Sequence, residues 1–260
     1  MPTNKKIVIV GKYGMLSSGL YLYLKKKFKT RSYSRKEFNI LNDNLDKLHI
    51  KKNNFVINAA GLTNRDLKKR SKFDFYYINS IFPRRLADHC KKKKAKLIHI
   101  STDGVFDGKQ GLYKENSSSF TEDIYGKSKL FGEPDNSMVI RSAVFGPERK
   151  NFHMFFCWFL SPKKKVNGYT NFYFNGVSTI EMGRVIETII NKKLYCENKY
   201  HIYSEDISKY DLLLKIKKDK RLRTLYSSFL KKLNVSSFEC QIKNIYNFCN
   251  KNGKFKSLNF

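Results

Sequence analysis

Cysteine is scarce in this chain, and long apolar runs are missing. Five cysteines occur among 260 residues, and they are too dispersed for a zinc site or a CxxC redox centre. Their odd number and the lack of a signal peptide lead us to expect a reducing, cytoplasmic location. The apolar residues 7–10 have the length of a strand rather than of a membrane-spanning helix. We therefore expect no metal site and no membrane segment.

Acidic residues are also few. Asp and Glu number 22 against 52 Lys and Arg, which gives a formal net charge of +30 at pH 7. A balance of this size ordinarily suggests a nucleic acid or an anionic surface as partner. The lysines are scattered, however, and the densest runs fall where helix ends or exposed loops are expected. We therefore expect neither a nucleic-acid partner nor a membrane. Nucleic-acid binding with a steep salt dependence is the least favoured alternative.

A glycine turn follows the first apolar run. Gly11 and Gly14 come directly after residues 7–10, and an amphipathic segment begins beyond them. Strand, glycine turn and helix is an arrangement that binds a dinucleotide, because the glycines allow a tight turn and the helix N–H groups receive the pyrophosphate. Ser17 stands where a third glycine often lies, with Gly19 two residues further on. The predicted cofactor contacts in this segment are Gly11, Gly14, Met15 and Leu16.

The end of the second predicted strand, residues 30–34, selects between cofactors. An acid at this position would bind the ribose 2′-hydroxyl of NADH, whereas an arginine accommodates the 2′-phosphate of NADPH. Since no acid stands at Ser34 or Arg35, we expect NADPH, with NADH less favoured. A solvated basic turn in a lysine-rich chain is the alternative interpretation.

A third strand is predicted over residues 54–58, and small residues follow it. Small residues at the carboxyl end of a strand let a cofactor lie close to the backbone. The predicted cofactor contacts here are Asn58, Ala59, Ala60 and Gly61.

The stretch 97–133 carries the chemistry. An apolar strand leads into Ser101, Thr102 and Asp103, and Tyr125 stands four residues before Lys129 in a helical segment. Residues four apart share one face of a helix, where a lysine ammonium lowers the pKa of a neighbouring phenol. The ammonium can also hold a cofactor ribose, and Thr102 can bind the oxygen that Tyr125 protonates. The set is suited to reducing a carbonyl, although Tyr-x-x-x-Lys alone also describes a surface pair.

The order of these motifs resembles a known family. From the glycine turn to Lys129 the chain is similar to the extended short-chain dehydrogenases/reductases, and within them to the dTDP-4-dehydrorhamnose reductase type of sugar-nucleotide ketoreductase. The similarity covers residues 1–150 and extends more weakly to residue 235. The segments that carry it are residues 56–66, 78–90, 99–108, 125–133 and 140–147.

This resemblance implies an α/β fold, a Rossmann-type doubly wound parallel sheet with a small mixed α/β substrate lobe. Residues 1–160 would form the NADP-binding domain, and residues 161–260 the substrate lobe and closing helices, interleaved with the first domain. The implied reaction is NADPH-dependent reduction of a keto group on a nucleotide-diphosphate-linked 4-keto-6-deoxy sugar, a step in making deoxysugars for surface polysaccharides. Tyr125 would donate the proton, Lys129 would lower its pKa, and Thr102 would bind the carbonyl oxygen. A homodimer is compatible with the sequence.

The resemblance also implies further contacts. Asn79 and Ser101 would touch the cofactor. The implied substrate contacts are Asp103, Gly104, Val105, Phe106, Arg141, Asn151, Phe152, Asn175, Arg221 and Arg223.

Gly104 separates this chain from related chemistries. Sugar-nucleotide dehydratases that resemble this fold carry a Glu at this position, so dehydration would lack a required group. Epimerase-reductases of the GDP-fucose type place a cysteine nearby, whereas none lies between Cys90 and Cys157. The reductase subgroup itself usually has an aromatic residue at the position of Gly104.

A non-catalytic NADP-binding regulatory subunit of the same fold is the main alternative, since the regulatory subunit of methionine adenosyltransferase resembles the same reductases. Gly104 and a short substrate lobe favour it, and the intact Thr102, Tyr125 and Lys129 disfavour it. In the lobe, Ser178 and Glu181 predict a helix with a capping box, and residues 207–216 predict a further helix.

Overall fold

A parallel sheet forms the centre of the molecule. The computed structural model describes residues 3–148 and 170–208, together with residues 211, 235–236, 240–245 and 247. In chain order, the strands are β1 (Thr3–Val10), β2 (Phe28–Tyr33), β3 (Phe55–Asn58), β4 (Lys96–Ile100), β5 (Met138–Arg141), β6 (Val144–Phe145), β7 (Tyr173–Phe174), β8 (Val177–Ser178), β9 (Asn198–His201) and β10 (Ile207–Ser208). Six of them pair in parallel, in the order β2-β1-β3-β4-β5-β9.

Helices cover both faces of this sheet. They are α1 (Met15–Leu24), α2 (Lys72–Tyr76), α3 (Phe82–Lys92), α4 (Ile124–Phe131) and α5 (Thr179–Asn191). A π-helical turn, Tyr77–Ile81, joins α2 to α3, and short 3-10 turns span Leu45–Leu48, Asn64–Asp66 and Asp103–Val105. Within the part of the chain that the structure describes, no helix combines the length and the apolar character needed to cross a bilayer.

The apolar run in β1 is explained by burial on both sides. Ile7 and Ile9 pack into the core between the sheet, α1 and α5, whereas Val8 and Val10 pack into the core beneath α3. A strand covered on both faces needs apolar residues at every position rather than at alternate ones. The predicted doubly wound α/β fold is therefore confirmed.

The strand order places a cleft at one edge of the sheet. β1 lies between β2 and β3, so the chain passes to one side of β1 and then returns to the other. The loops leaving β1 and β3 consequently diverge above their carboxyl ends, which is where ligands bind in open α/β sheets. Between β2 and β3 the chain forms a 3-10 turn, Leu45–Leu48, and no further strand, so β2 is the sheet edge.

The segments after β5 form two small strand pairs. β6 runs parallel to β8, and β7 runs antiparallel to β10. The helix predicted from residue 207 is wrong at its start, because Ile207 and Ser208 pair with β7 as a strand. Ser208 Oγ then accepts a hydrogen bond from the N–H of Asp211, at 2.8 Å. The division at residues 160 and 161 stays a prediction, since the described residues stop at 148 and resume at 170.

The predicted cap of α5 is half right. Ser178 Oγ accepts from the N–H of Glu181 at 3.0 Å, as an N-cap should. The reciprocal half of the box is wrong, because the N–H of Ser178 donates to Gln241 Oε1 at 2.7 Å. The carboxylate of Glu181 instead accepts from Arg184 and Ser236. The start of α5 is thus tied to the last described segment of the chain.

Candidate active site

A cavity of about 390 Å³ lies at the carboxyl ends of β1, β3 and β4. The lobe contributes Phe172 and Phe174 to its wall, and the segment after β5 contributes Ser142 and Ala143. Many residues predicted from the sequence line the same cavity, namely Gly14, Met15, Leu16, Ala59, Ala60, Gly61, Ser101, Thr102, Asp103, Tyr125 and Lys129.

The glycine turn brings β1 close to the end of β3. Gly11 has a φ of +105°, and a β-carbon there would lie 3.1 Å from the Cα atom of Ala60. Both facts favour glycine at this position. Ser17, at the position of a third glycine, donates from its hydroxyl to the carbonyl oxygens of Gly11 and Gly14 and so closes the turn. Gly19 allows the close packing of α1 on α5, because a β-carbon there would lie 2.6 Å from Thr179.

Lys129 is buried at the floor of the cavity. Its ammonium donates to the carbonyl oxygen of Ile100, the last residue of β4, at 2.7 Å. Burial lowers the pKa of Lys129 to about 8, and the negative charge of Glu133 opposes that shift. Tyr125 lies one turn earlier on α4 and lines the same cavity. The predicted pair of residues therefore faces one space.

Two glycines let α4 approach its neighbours. A β-carbon at Gly126 would lie 2.2 Å from the carbonyl oxygen of Gly104, and one at Gly132 would lie 1.7 Å from that of Asn79. Such distances leave no room for any side chain. The backbone contacts fix both ends of α4, and they thereby fix the positions of Tyr125 and Lys129.

Asn79 has a structural role that differs from the predicted cofactor contact. Its side chain is buried in the π-helical turn, where Oδ1 accepts from the N–H of Leu62 at 2.8 Å. Nδ2 donates to the carbonyl oxygen of Leu62 and to Ser128 Oγ, each at 3.0 Å. Asn79 therefore connects the loop after β3 to α4 and does not line the cavity.

Thr102 lies beside Tyr125 at the end of β4. Its hydroxyl donates to Asp103 Oδ1 and accepts from the N–H of Gly104, both at 3.1 Å. A β-carbon at Gly104 would lie 3.3 Å from Thr102 Oγ1 and 3.3 Å from Tyr125 Cε1. Gly104 thus lies directly beneath the two hydroxyl-bearing residues.

The structure corrects three predicted substrate contacts. Val105 and Phe106 are fully buried, and Phe106 stacks on Tyr113 at 4.5 Å between ring centroids. The guanidinium of Arg141 pairs with the buried carboxylate of Glu133, with Nε and NH2 at 2.9 and 2.7 Å from its two oxygens. These side chains are part of the core. The sequence alone did not show this, because apolar and charged residues of these types can stand either in a core or at a binding surface.

Three other predicted contacts are buried and line neither cavity. Asn58 is buried, lies 3.1 Å from His99 Nδ1 through its Nδ2 atom, and accepts from the N–H of Ala60. Asn175 is buried and donates to Asp206 at 3.0 Å. Ser34 is buried as well. The remaining predicted contacts lie outside the described residues, and they are Asn151, Phe152, Arg221 and Arg223.

A second cavity, of about 220 Å³, continues the cleft beyond Gly11. It shares Gly14 and the residues at the end of β3 with the first cavity. Arg35, a predicted cofactor contact, lines it. Phe38 and Arg70 line it as well, and nothing in the sequence singled them out.

Glu37 is an acid near the end of β2 that the sequence analysis did not consider. Its carboxylate accepts from the N–H of Ser34 at 2.9 Å and from Lys12 Nζ at 3.2 Å. Hydrogen bonds from Ser34 and then from Lys12 lower the pKa of Glu37 to about 2. Glu37 is not among the residues that line the second cavity.

Glu133 was not predicted to have a role, although it lies close to the predicted catalytic residues. It is buried directly after α4 and accepts from Ser101 Oγ at 2.7 Å, in addition to its pair with Arg141. Ser101 in turn lines the first cavity. Among the described residues, no group of three or more His, Cys, Asp or Glu side chains is placed to hold a metal ion.

Comparisons with known proteins agree with this geometry. The family model described as the RmlD substrate binding domain matches residues 5–239. A dTDP-4-dehydrorhamnose reductase of Mycobacterium tuberculosis (strain CDC 1551 / Oshkosh) is 29% identical over 136 residues, which is 50% of this chain and 45% of that protein. One of Aggregatibacter actinomycetemcomitans is 35% identical over 109 residues, 39% of this chain and 37% of that protein. The matches span less than half the length of these relatives.

Solved structures show the same fold over nearly the whole chain. The dTDP-4-dehydrorhamnose reductase of Bacillus anthracis, solved in complex with NADP, aligns with a TM-score of 0.79 at 20% identity, covering 95% of this chain and 99% of that one. A hypothetical dTDP-4-dehydrorhamnose reductase of Sulfolobus tokodaii aligns with a TM-score of 0.70 at 25% identity, covering 88% and 94%. Because the family model extends over most of the sequence, this chain belongs to the RmlD substrate binding domain family.

Proposed function

We propose that this protein is an oxidoreductase that uses NADPH to reduce a keto group on a nucleotide-diphosphate-linked 4-keto-6-deoxy sugar. One observation carries the proposal: Thr102, Tyr125 and Lys129 converge on a cavity that the glycine turn also lines. A proton donor, a buried cation and a second hydroxyl thus surround one space next to a dinucleotide-type turn. The names of the relatives supply the sugar-nucleotide class of substrate.

The cleft is suited to a dinucleotide. The two cavities join at Gly14 and the end of β3, and α1 begins at this junction, where its N–H groups favour a pyrophosphate. A β-carbon at Gly11 would be in close contact with Ala60, so glycine leaves space that a side chain would narrow. When bound, NADPH supplies a hydride for the carbonyl carbon. The NADP complex of the Bacillus anthracis relative supports this choice of cofactor.

Tyr125 acts as the general acid in the proposed reaction. It gives its phenolic proton to the carbonyl oxygen as the carbonyl carbon accepts the hydride, and an alcohol results. Lys129, fixed against Ile100, favours the phenolate that remains and holds the ribose beside it. Tyr125 then takes a new proton from solvent.

Thr102 aligns the carbonyl in this scheme. Its oxygen accepts from Gly104 in the described structure, and its proton points to Asp103. With substrate bound, rotation of the Thr102 hydroxyl would direct that proton to the carbonyl oxygen. We assign the sugar-binding part of the site to the lobe after β5, since Phe172 and Phe174 close the cavity there.

Turnover of a panel of substrates tests the proposal. NADPH consumption is followed by the absorbance of reduced nicotinamide with dTDP-, UDP-, GDP- and CDP-linked 4-keto-6-deoxy sugars. We expect turnover with one donor, and a loss of about 10²- to 10⁴-fold in Tyr125→Phe. Tyr77→Phe is the matched control, because Tyr77 pairs with Arg85 at the surface and does not line the cavity.

Two results would contradict this assignment. Near-normal turnover by Tyr125→Phe would remove the tyrosine as the acid. Tight binding of NADPH without turnover of any sugar in the panel would overturn the proposed reaction.

A further inference from the structure

Two arginines line the second cavity, the one beyond Gly11. Arg35 follows β2, and Arg70 follows β3 in the segment before α2. Since β2 and β3 lie on opposite sides of β1, the two arginines belong to segments that follow strands on opposite sides of β1. Only Arg35 is at the strand-end position that sequence reasoning associates with cofactor choice.

The other described residues that line this cavity are uncharged. Phe38, Ile40, Leu41 and Ile78 form apolar walls, and no carboxylate is among the lining residues that the structure describes. An apolar slot with two cations at its rim suits a flat heterocycle that carries an anionic group. A phosphorylated adenosine has this combination of properties.

Glu37 and Asp74, two of the acids nearest in sequence to these arginines, have other hydrogen-bond partners. Glu37 is bound to the N–H of Ser34 and to Lys12. The ion pair of Arg70 with Asp74 has an N–O distance of 3.9 Å, which is longer than a hydrogen bond. The carboxylate of Asp74 is turned towards the N–H of Ser71, as part of the capping box of α2. A phosphate entering the cavity would therefore meet positive charge.

We propose that Arg70 joins Arg35 in binding the 2′-phosphate of NADPH, so that cofactor selectivity depends on residues from both sides of β1. The planar guanidinium suits phosphate because it donates two parallel hydrogen bonds. The capping box at Ser71 anchors the backbone next to Arg70, which limits the freedom of this arginine before the ligand binds. This inference rests on the proposed function, and it names the part of the cofactor that the second cavity recognises.

Binding of adenosine fragments tests the inference without requiring turnover. The affinities of 2′,5′-ADP and 5′-AMP are measured by calorimetry for the wild type, Arg70→Gln and Arg35→Gln at one ionic strength. We expect each substitution to weaken 2′,5′-ADP by roughly tenfold to a hundredfold, the loss typical of a hydrogen bond to a charged group. The affinity for 5′-AMP, which lacks the 2′-phosphate, should change less than threefold.

Lys69→Gln is the matched control. Lys69 precedes Arg70 in the same segment, is exposed and does not line the cavity, so its loss changes the net charge equally. We expect it to leave both affinities within about twofold, since exposed charges are screened by salt. Thermal unfolding of each variant shows that the fold is retained.

The outcomes separate this inference from the proposed function. If Arg70→Gln matches Lys69→Gln, or weakens the two fragments equally, the role of Arg70 is wrong. If Arg35→Gln alone abolishes the preference for 2′,5′-ADP, Arg70 is again excluded while NADPH use stands. If the wild type does not prefer 2′,5′-ADP over 5′-AMP, the assignment of NADPH itself fails.

Discussion

The two ends of the cleft differ in how deeply their polar residues are buried. At the catalytic end, Lys129 is buried on a main-chain carbonyl, and Ser101 is hydrogen-bonded to the buried Glu133. At the other end, Arg35 is exposed, and Arg70 is in part exposed, beside apolar side chains from loops. The first end consists of buried and packed polar groups, whereas the second has cations that are fully or partly exposed to solvent.

This difference follows from what each end has to do. Proton transfer needs groups held at hydrogen-bonding distance in a site where charges are weakly screened. Recognition of a phosphate needs strong donors, which need not be fixed before the ligand arrives. Substitutions at the catalytic end should therefore change stability or rate, whereas those at the arginine end should change affinity and salt dependence.

The largest effect is expected from the ion pair behind the catalytic end. Arg141→Met leaves the carboxylate of Glu133 buried without its bidentate partner, which should cost about 3–5 kcal/mol of unfolding free energy. Urea unfolding measures this loss. Arg35→Met is the control from the exposed end, where we expect less than about 0.5 kcal/mol. A small loss of stability together with a raised KM for the sugar would contradict the core role and indicate that Arg141 contacts the substrate.

Lys129→Met should reduce the rate next. The substitution keeps the volume of the side chain but removes the cation beside Tyr125, and we expect kcat to fall about 10²-fold or more. Lys127→Met is the matched control on the same helix, because Lys127 pairs with Glu122 at the surface. Equal rates for both variants would show that the buried ammonium does not assist Tyr125.

The buried ammonium should also leave a signature in the pH dependence of stability. Its pKa is lowered from 10.5 to about 8 in the folded protein, so the unfolded chain binds more protons in this interval. The free energy of unfolding therefore rises with pH between those values. Below them, the destabilisation caused by burying the charged ammonium is fully present. The unfolding free energy of the wild type minus that of Lys129→Met should increase from pH 8 to 10.5. A flat difference would contradict the lowered pKa.

The smallest effect is expected from salt. Raising the ionic strength should weaken NADPH binding severalfold, because partly exposed arginines are screened. The rate at saturating NADPH should change little, since Lys129 is shielded from solvent. Titrations and turnover at two salt concentrations measure both quantities. Equal salt sensitivity of binding and rate would mean that the two ends do not differ as described.

The convergence of Thr102, Tyr125 and Lys129 on one cavity could be expected from the sequence. Thr102 follows a buried strand, Tyr125 and Lys129 share a helix face, and carboxyl ends of parallel strands meet at one edge. These are local patterns, and each determines towards which face of a helix or which edge of the sheet a residue lies. The doubly wound sheet was implied by the family resemblance, and the unbroken apolar residues 7–10 agree with a strand buried on both faces.

The sequence did not reveal which polar residues serve the core. Arg141 is the last residue of β5, a position where a ligand-binding residue can stand, and its partner Glu133 is eight residues away across a turn. Asn79 is likewise satisfied by Leu62 and Ser128, which are distant in the chain. Arg70 was hidden among many other cations. Charge and polarity identify a residue as having a partner, but only the fold identifies the partner.

The hydrogen bond from Lys129 to Ile100 has an entropic consequence. A lysine side chain loses roughly 1.5–2 kcal/mol of rotamer freedom when it is immobilised. Here the loss occurs as the protein folds, through a main-chain carbonyl that exists before any ligand arrives. Cofactor binding therefore need not order this flexible chain again, whereas Arg35 loses its freedom only when phosphate binds. Binding of the nicotinamide end should therefore carry a smaller entropic penalty from side-chain ordering than binding of the phosphate end.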